Sequence, residues 1–141
     1  MTQHITVAHL KQPDIRPHGE SGDDRYILNE NFKFVLCIDG ANRSFTIPKG
    51  MTHDGASVPR FAMALIGFER DGIHRAGALV HDFMYRRNGV IWDKRLTPFH
   101  YTRKDADRVF LKCIEHHGIK SWHGRLAYLA VRGFGWMKKR F

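Results

Sequence analysis

Residues 73–89 read IHRAGALVHDFMYRRNG, and this stretch decides the expected architecture. At the helical spacing of about 100° per residue, its apolar side chains fall on one side and its polar ones on a single stripe. The polar stripe contains His74, Ala78, His81, Asp82 and Tyr85, and the opposite side contains Ala76, Leu79, Val80, Phe83 and Met84. The pattern predicts a helix over about 73–88 that ends at the C-terminal signal Asn88-Gly89.

Two more helices are predicted downstream of this stretch. Thr102-Arg103-Lys104-Asp105 resembles a capping box and begins a helix over about 102–117. Ser121 begins a third over about 122–138.

The second of these helices carries an acidic residue close to its apolar stripe. Asp107 sits beside Phe110 and Ile114, so its carboxylate should face the neighbouring helix. An unpaired buried carboxylate is costly, and Asp107 therefore needs a partner such as His81 or the hydroxyl of Tyr85.

The residues upstream indicate a β region. Aromatic and β-branched residues flank Asp39-Gly40, which is typical of a hairpin turn, so residues 25–48 are predicted to be β. Residues 1–24 are expected to be an irregular arm, and residues 50–72 and 90–101 are expected to be loops. The predicted fold class is α+β: an N-terminal β hairpin or small antiparallel sheet, then three helices, within one domain over 25–141.

The loop at 50–72 suggests a cation site. A hard cation prefers oxygen ligands, including backbone carbonyls. The Asp54 carboxylate and the Gly55 carbonyl could supply two of these ligands, and Asp82 would complete a partial cage. Asp54 could equally close a local turn.

Composition sets outer limits on function. The chain has 141 residues, 23 Lys and Arg against 14 Asp and Glu, and a formal net charge of +9. This positive net charge favours an anionic partner, which could be nucleic acid, lipid or an acidic protein. No helix-turn-helix, zinc finger or aromatic-basic platform is evident, so specific nucleic-acid recognition is not expected. No secretory signal or membrane span is predicted, and Cys37 and Cys113 are interpreted as thiols.

Several motifs carry a family resemblance across residues 50–136. Val80-His81-Asp82-Phe83-Met84-Tyr85-Arg86 resembles the H-D-x-x-Y signature of secreted phospholipases A₂, most closely the bacterial and fungal type. Asp54 matches an upstream T-D segment, here interrupted by His53, and Asp107 matches the acidic residue of the following helix. Ala130–Gly135 matches an A-V-x-x-F-G element. The same motifs, with T-D-x-A-S-V-P at Asp54–Pro59, are similar to a phage- and prophage-encoded family of uncharacterised small proteins.

The resemblance implies that the two central helices are antiparallel, as in a phospholipase A₂-like core, and that the protein performs calcium-dependent hydrolysis of a lipid ester. His81 would take a proton from water, Asp107 would hold the imidazole, and Tyr85 would hydrogen-bond Asp107. Calcium would bind at Asp82, Asp54 and the Gly55 carbonyl and stabilise the oxyanion. The implied partner is phospholipid or an anionic membrane surface, which the apolar residues within 61–66 could contact.

Other functions remain open from the sequence. The phage resemblance also fits a non-enzymatic virion or tail accessory protein that contacts other phage structural proteins. The expected location is accordingly the bacterial host cytoplasm or the virion. The order His53, His81-Asp82, Asp107 is also compatible with an HD-type metal phosphohydrolase, and His81 could simply be a core histidine bonded to Asp107.

Overall fold

The computed structural model describes residues 3–18, 25–53 and 75–116, together with Leu129 and Arg132. These residues form eight strands and two helices whose bounds can be given. The strands are β1 (Ile5–Leu10), β2 (Ile15–His18), β3 (Arg25–Leu28), β4 (Phe32–Ile38), β5 (Ala41–Ile47), β6 (Thr52–His53), β7 (Val90–Trp92) and β8 (Pro98–His100), and the helices are α1 (Arg75–Arg86) and α2 (Arg103–His116).

The central sheet has the strand order β1-β4-β5 and is antiparallel. Its β4–β5 hairpin turns at Asp39 and Gly40, where both backbone φ angles are positive, at 50° and 87°. This geometry is the two-residue turn for which Asp-Gly is preferred, so the predicted hairpin is confirmed. Alternate side chains of β4 are buried, and they put Phe34 and Leu36 into the core.

The expectation of an irregular arm over residues 1–24 is wrong. Ile5–Leu10 pairs with β4, and Ile15–His18 pairs with β3, which in turn pairs with β6. Ile5 and Leu10 are buried. Pro17 lies in β2, the edge strand of the order β2-β3-β6, where a residue without an N–H is tolerated.

The loop expected over residues 90–101 is also wrong, because β7 and β8 form a hairpin there. One oxygen of Asp93 accepts hydrogen bonds from the backbone N–H groups of Arg95 and Thr97, both at 2.9 Å. The other accepts one from Arg43 Nε at 2.9 Å. These bonds close the turn and tie it to β5.

The two predicted central helices are present, with bounds within two residues of the expectation. The predicted capping box is confirmed, since Asp105 N donates to Thr102 Oγ1 at 3.1 Å and Thr102 N donates to Asp105 Oδ2 at 3.0 Å. Asn88 and Gly89 have positive φ angles of 53° and 101°, as expected after the end of α1. No helix within the described residues is long and apolar enough to cross a membrane.

The helices pack closely and run antiparallel. A Cβ placed on Gly77 would lie 3.2 Å from Cys113 Cβ, so the absence of a side chain allows a close approach there. Further along α1, His81 meets Asp107, which lies earlier in α2. On the sheet side, the ring of Phe83 packs edge-on against Phe34 with a centroid distance of 6.5 Å.

The predicted fold class is therefore wrong, because strands rather than helices make up most of the described elements. The described residues form three small antiparallel sheets of three, three and two strands, with helices α1 and α2, rather than one hairpin followed by three helices. The third predicted helix, over 122–138, lies outside the described residues apart from Leu129 and Arg132, which both have helical backbone.

Candidate active site

The facing surfaces of α1 and α2 bring three polar side chains together in the protein interior. His81 and Tyr85 are four residues apart, so both project from one face of α1. His81 Nε2 lies 2.7 Å from Asp107 Oδ1, and the Tyr85 hydroxyl donates to the same oxygen at 2.7 Å. The sequence predicts His81 or Tyr85 as a partner of Asp107, and the structure contains both contacts.

Asp107 has a third partner on its second oxygen. Arg132 Nη1 donates to Oδ2 at 2.9 Å, so both carboxylate oxygens are bonded. Asp107 is fully buried, and His81 and Tyr85 are 2% and 6% exposed. A buried carboxylate is tolerated in a protein when it is paired and hydrogen-bonded in this way.

The environment favours the ionised form of Asp107. Burial by itself would raise the pKa of this carboxyl, but the hydrogen bonds from His81 and Tyr85, with a further contribution from Arg132, lower it overall. For Tyr85, burial and the neighbouring Asp107 carboxylate raise the pKa of the phenol. Asp107 is thus a stable anion and Tyr85 a stable neutral donor.

The contact also determines which ring nitrogen of His81 can act as a base. A carboxylate accepts hydrogen bonds, so a neutral His81 carries its proton on Nε2 and its lone pair on Nδ1. This assignment follows from the hydrogen-bond partner. Nδ1 is then the atom that could accept a proton from water.

The three proposed calcium ligands are only partly described. Asp54 and Gly55 lie outside the described residues. Asp82 Oδ2 lies 3.1 Å from Arg86 Nη2 one turn later in α1. Among the described residues no cluster of three or more His, Cys, Asp or Glu side chains could hold a metal ion. The described donor set, one carboxylate already paired with a guanidinium, does not form a calcium site by itself.

Other residues singled out in the sequence are placed differently. His53 belongs to strand β6, whereas the HD-type phosphohydrolase alternative needs its first histidine on a helix. His74 and the apolar run 61–66 lie outside the described residues. Cys113 is buried and Cys37 is half-buried, and both are free thiols, as expected.

Arg132 is the residue that sequence reasoning missed. It appeared only as a variable position inside the A-V-x-x-F-G element. The available signal was chemical: a fully buried carboxylate in a chain rich in arginine calls for a cationic partner as well as neutral donors. Nothing in the local spacing points to residue 132.

The described chain is thus an antiparallel β protein in which a helix pair encloses a histidine–carboxylate–tyrosine network. It belongs to the family described as "Protein of unknown function (DUF1353)", whose model matches residues 28–131. That range contains His81, Tyr85 and Asp107.

A further relative is the "Uncharacterized protein y4jT" of Sinorhizobium fredii. It is 24% identical to this chain over 108 residues, which cover 77% of this chain and 28% of that protein. The chain therefore spans a little over a quarter of this relative's length. No solved structure matches the chain.

Proposed function

We propose that this protein is a phospholipase A₂-like hydrolase of lipid esters, phage-encoded and acting on the bacterial envelope from the host cytoplasm or the virion. The observation that supports it most is the 2.7 Å contact between His81 Nε2 and Asp107 Oδ1. A general-base histidine needs a group that fixes its tautomer and orientation, and a buried carboxylate does both.

The proposed reaction assigns a role to each side chain of the network. His81 Nδ1 accepts a proton from a water molecule as the water oxygen attacks the ester carbonyl. Asp107 holds the ring and stabilises the imidazolium that forms. The proton on Nδ1 then passes to the leaving alkoxide as the ester bond breaks, which releases a fatty acid and a lysophospholipid.

Tyr85 and Arg132 are positioning residues in this scheme. Each donates to one oxygen of Asp107, so the carboxylate keeps its charge and its orientation towards His81. Neither is required to touch the substrate.

Calcium is the cation in this proposal, with Asp82, Asp54 and the Gly55 carbonyl as its ligands. When bound, it would polarise the ester carbonyl and stabilise negative charge on its oxygen.

Two surface features support an anionic membrane as the partner. The chain carries a net charge of +9. The β7–β8 hairpin exposes Trp92 and Leu96, at 54% and 79%, next to the exposed Lys94 and Arg95. Amphipathic aromatic and basic side chains are common where proteins contact lipid headgroups.

The experiment is fatty-acid release from phosphatidylglycerol vesicles by the purified full chain, in calcium and in excess chelator. We expect release in calcium, a lysophospholipid as the second product, and loss of activity in chelator. Equal release in chelator would reject the calcium component. Absence of release under all conditions would reject the hydrolase.

A non-enzymatic role as a virion or tail accessory protein, in contact with other phage structural proteins, is the second candidate. One observation favours it: both oxygens of Asp107 are hydrogen-bonded and His81 is 2% exposed, which also describes a polar network that only stabilises the core. Two results together would support this role over hydrolysis. The chain would be incorporated into phage particles, and particles that carry Asp82→Asn or His81→Asn would remain infective.

A further inference from the structure

An open pocket of about 550 Å³ lies at the start of α2. Its described lining comes from the residues after the end of α1, from the end of β8, from residues 101–104 and from Arg132.

The lining is basic. Arg103, Lys104 and Arg132 contribute three cationic side chains, His100 adds an imidazole, and no acidic side chain is present among the described lining residues. The two carboxylates in the first turns of α2 are otherwise engaged: Asp105 caps α2 through Thr102, and Asp107 is fully buried against His81 and Tyr85.

The guanidinium of Arg103, a lining residue of this pocket, has one donor without an acceptor among the described residues. Nη1 of Arg103 is buried, and no hydrogen-bond partner for it occurs within the described part of the chain. Buried donors in proteins are nearly always hydrogen-bonded, and a guanidinium presents paired N–H groups that match phosphate oxygens. The N-terminal end of a 14-residue helix adds a favourable partial positive charge.

We propose that this pocket binds a phosphate group, with Arg103 as its main ligand and Lys104 and Arg132 as further ones. The group belongs either to a phospholipid headgroup or to a free phosphate or phosphomonoester. The headgroup assignment rests on the proposed lipid hydrolysis, whereas binding of the phosphate group does not.

Arg132 connects the pocket to the His81 network. It lines the pocket, its side chain is 31% exposed, and its Nη1 contacts Asp107. Arg103 and Arg132 are both close enough to Tyr85 to oppose the rise in its pKa electrostatically. A phosphate bound in this pocket would therefore lie one side chain, that of Arg132, away from the carboxylate that holds His81.

The test is titration of the full chain with inorganic phosphate and with a short-chain, micelle-free phosphatidylglycerol, by calorimetry and by NMR shifts. We expect saturable binding of one phosphate group per chain, weakened about tenfold or more by Arg103→Gln. Arg103→Lys should recover part of the loss, because charge is kept and the paired donors are lost. The control is Lys49→Gln, which also removes one positive charge, from an exposed position outside the pocket.

Non-saturable binding, or equal losses of affinity in Arg103→Gln and Lys49→Gln with both variants folded, would reject the phosphate site and leave only attraction by net charge. If phosphatidylglycerol binds more tightly than inorganic phosphate, the ligand is a phospholipid headgroup. If inorganic phosphate binds more tightly, the headgroup assignment is rejected and the phosphate site is kept. Phosphate titrations and fatty-acid release are both measured for wild type and for His81→Asn, which separates the phosphate site from the hydrolase. If both proteins bind phosphate and neither releases fatty acid, the hydrolase is rejected and the phosphate site is kept.

Discussion

His81 Nε2 lies 2.7 Å from Asp107 Oδ1 and joins two helices across 26 positions of sequence. Both side chains are almost fully buried, so the contact acts on stability as well as on any chemistry. The two effects can be separated, because each partner of Asp107 can be removed without removing the others.

Asp107→Asn should lower the free energy of unfolding by about 2–4 kcal/mol, because it leaves Arg132 and His81 facing a neutral amide in the interior. Urea unfolding measures the change. Glu30→Gln makes the same acid-to-amide change at an exposed position and should have little effect. Equal losses in the two variants would contradict the buried network.

The stability that Asp107 contributes should depend on pH. Its folded pKa is lowered, so the contribution is complete above the ordinary carboxyl pKa of about 4 and is lost as pH falls through the folded value. The difference in free energy of unfolding between wild type and Asp107→Asn should therefore shrink below about pH 4. Urea unfolding between pH 7 and pH 3 measures it, and a constant difference would count against the lowered pKa.

Tyr85→Phe and Tyr101→Phe form a matched pair. Each removes one buried hydroxyl, from Asp107 in the first case and from the Met84 carbonyl in the second, where the distance is 2.6 Å. Both should lose about 1–2 kcal/mol of stability. Only Tyr85→Phe should also raise the pKa of Asp107, and with it the pH at which the stability contributed by Asp107 is lost, since only the Tyr85 hydroxyl donates to that carboxylate. Equal pH dependences of stability in the two variants would remove that role.

Leu96→Gly should stabilise the protein while weakening its contact with membranes. Leu96 is 79% exposed and has a φ of 62°, a conformation that costs a leucine roughly 1 kcal/mol relative to glycine. We expect a gain of about 0.5–1 kcal/mol in thermal or urea unfolding. Reduced co-sedimentation with anionic vesicles is expected in the same variant, and unchanged co-sedimentation would exclude this turn as a lipid contact.

Local signals in the sequence were sufficient where the structure depends on a few adjacent residues. The Asp39-Gly40 turn, the Thr102–Asp105 capping box and the helix end at Asn88 all occur as predicted. Two partners of Asp107, His81 and Tyr85, were predictable for a related reason, since helical spacing and the cost of a buried charge leave few choices on the neighbouring helix.

Long-range pairing was not predictable in the same way. Ile5–Leu10 is recognisable as a strand only beside β4, which lies more than twenty residues later. Its polar residues and the nearby Pro13 suggested an irregular arm. The β7–β8 turn depends on Asp93 and on Arg43 from another sheet. Arg132 was missed because no local pattern in the sequence links it to Asp107, which lies 25 positions earlier.

The most direct test of His81 as the general base is the rate of fatty-acid release by His81→Asn relative to wild type, at equal concentrations of folded protein and in calcium. Loss of one base that no other group replaces should reduce the rate by about 10²-fold or more. A His81→Asn protein that is folded and releases fatty acid as fast as wild type would show that the histidine serves only to pack the helices together.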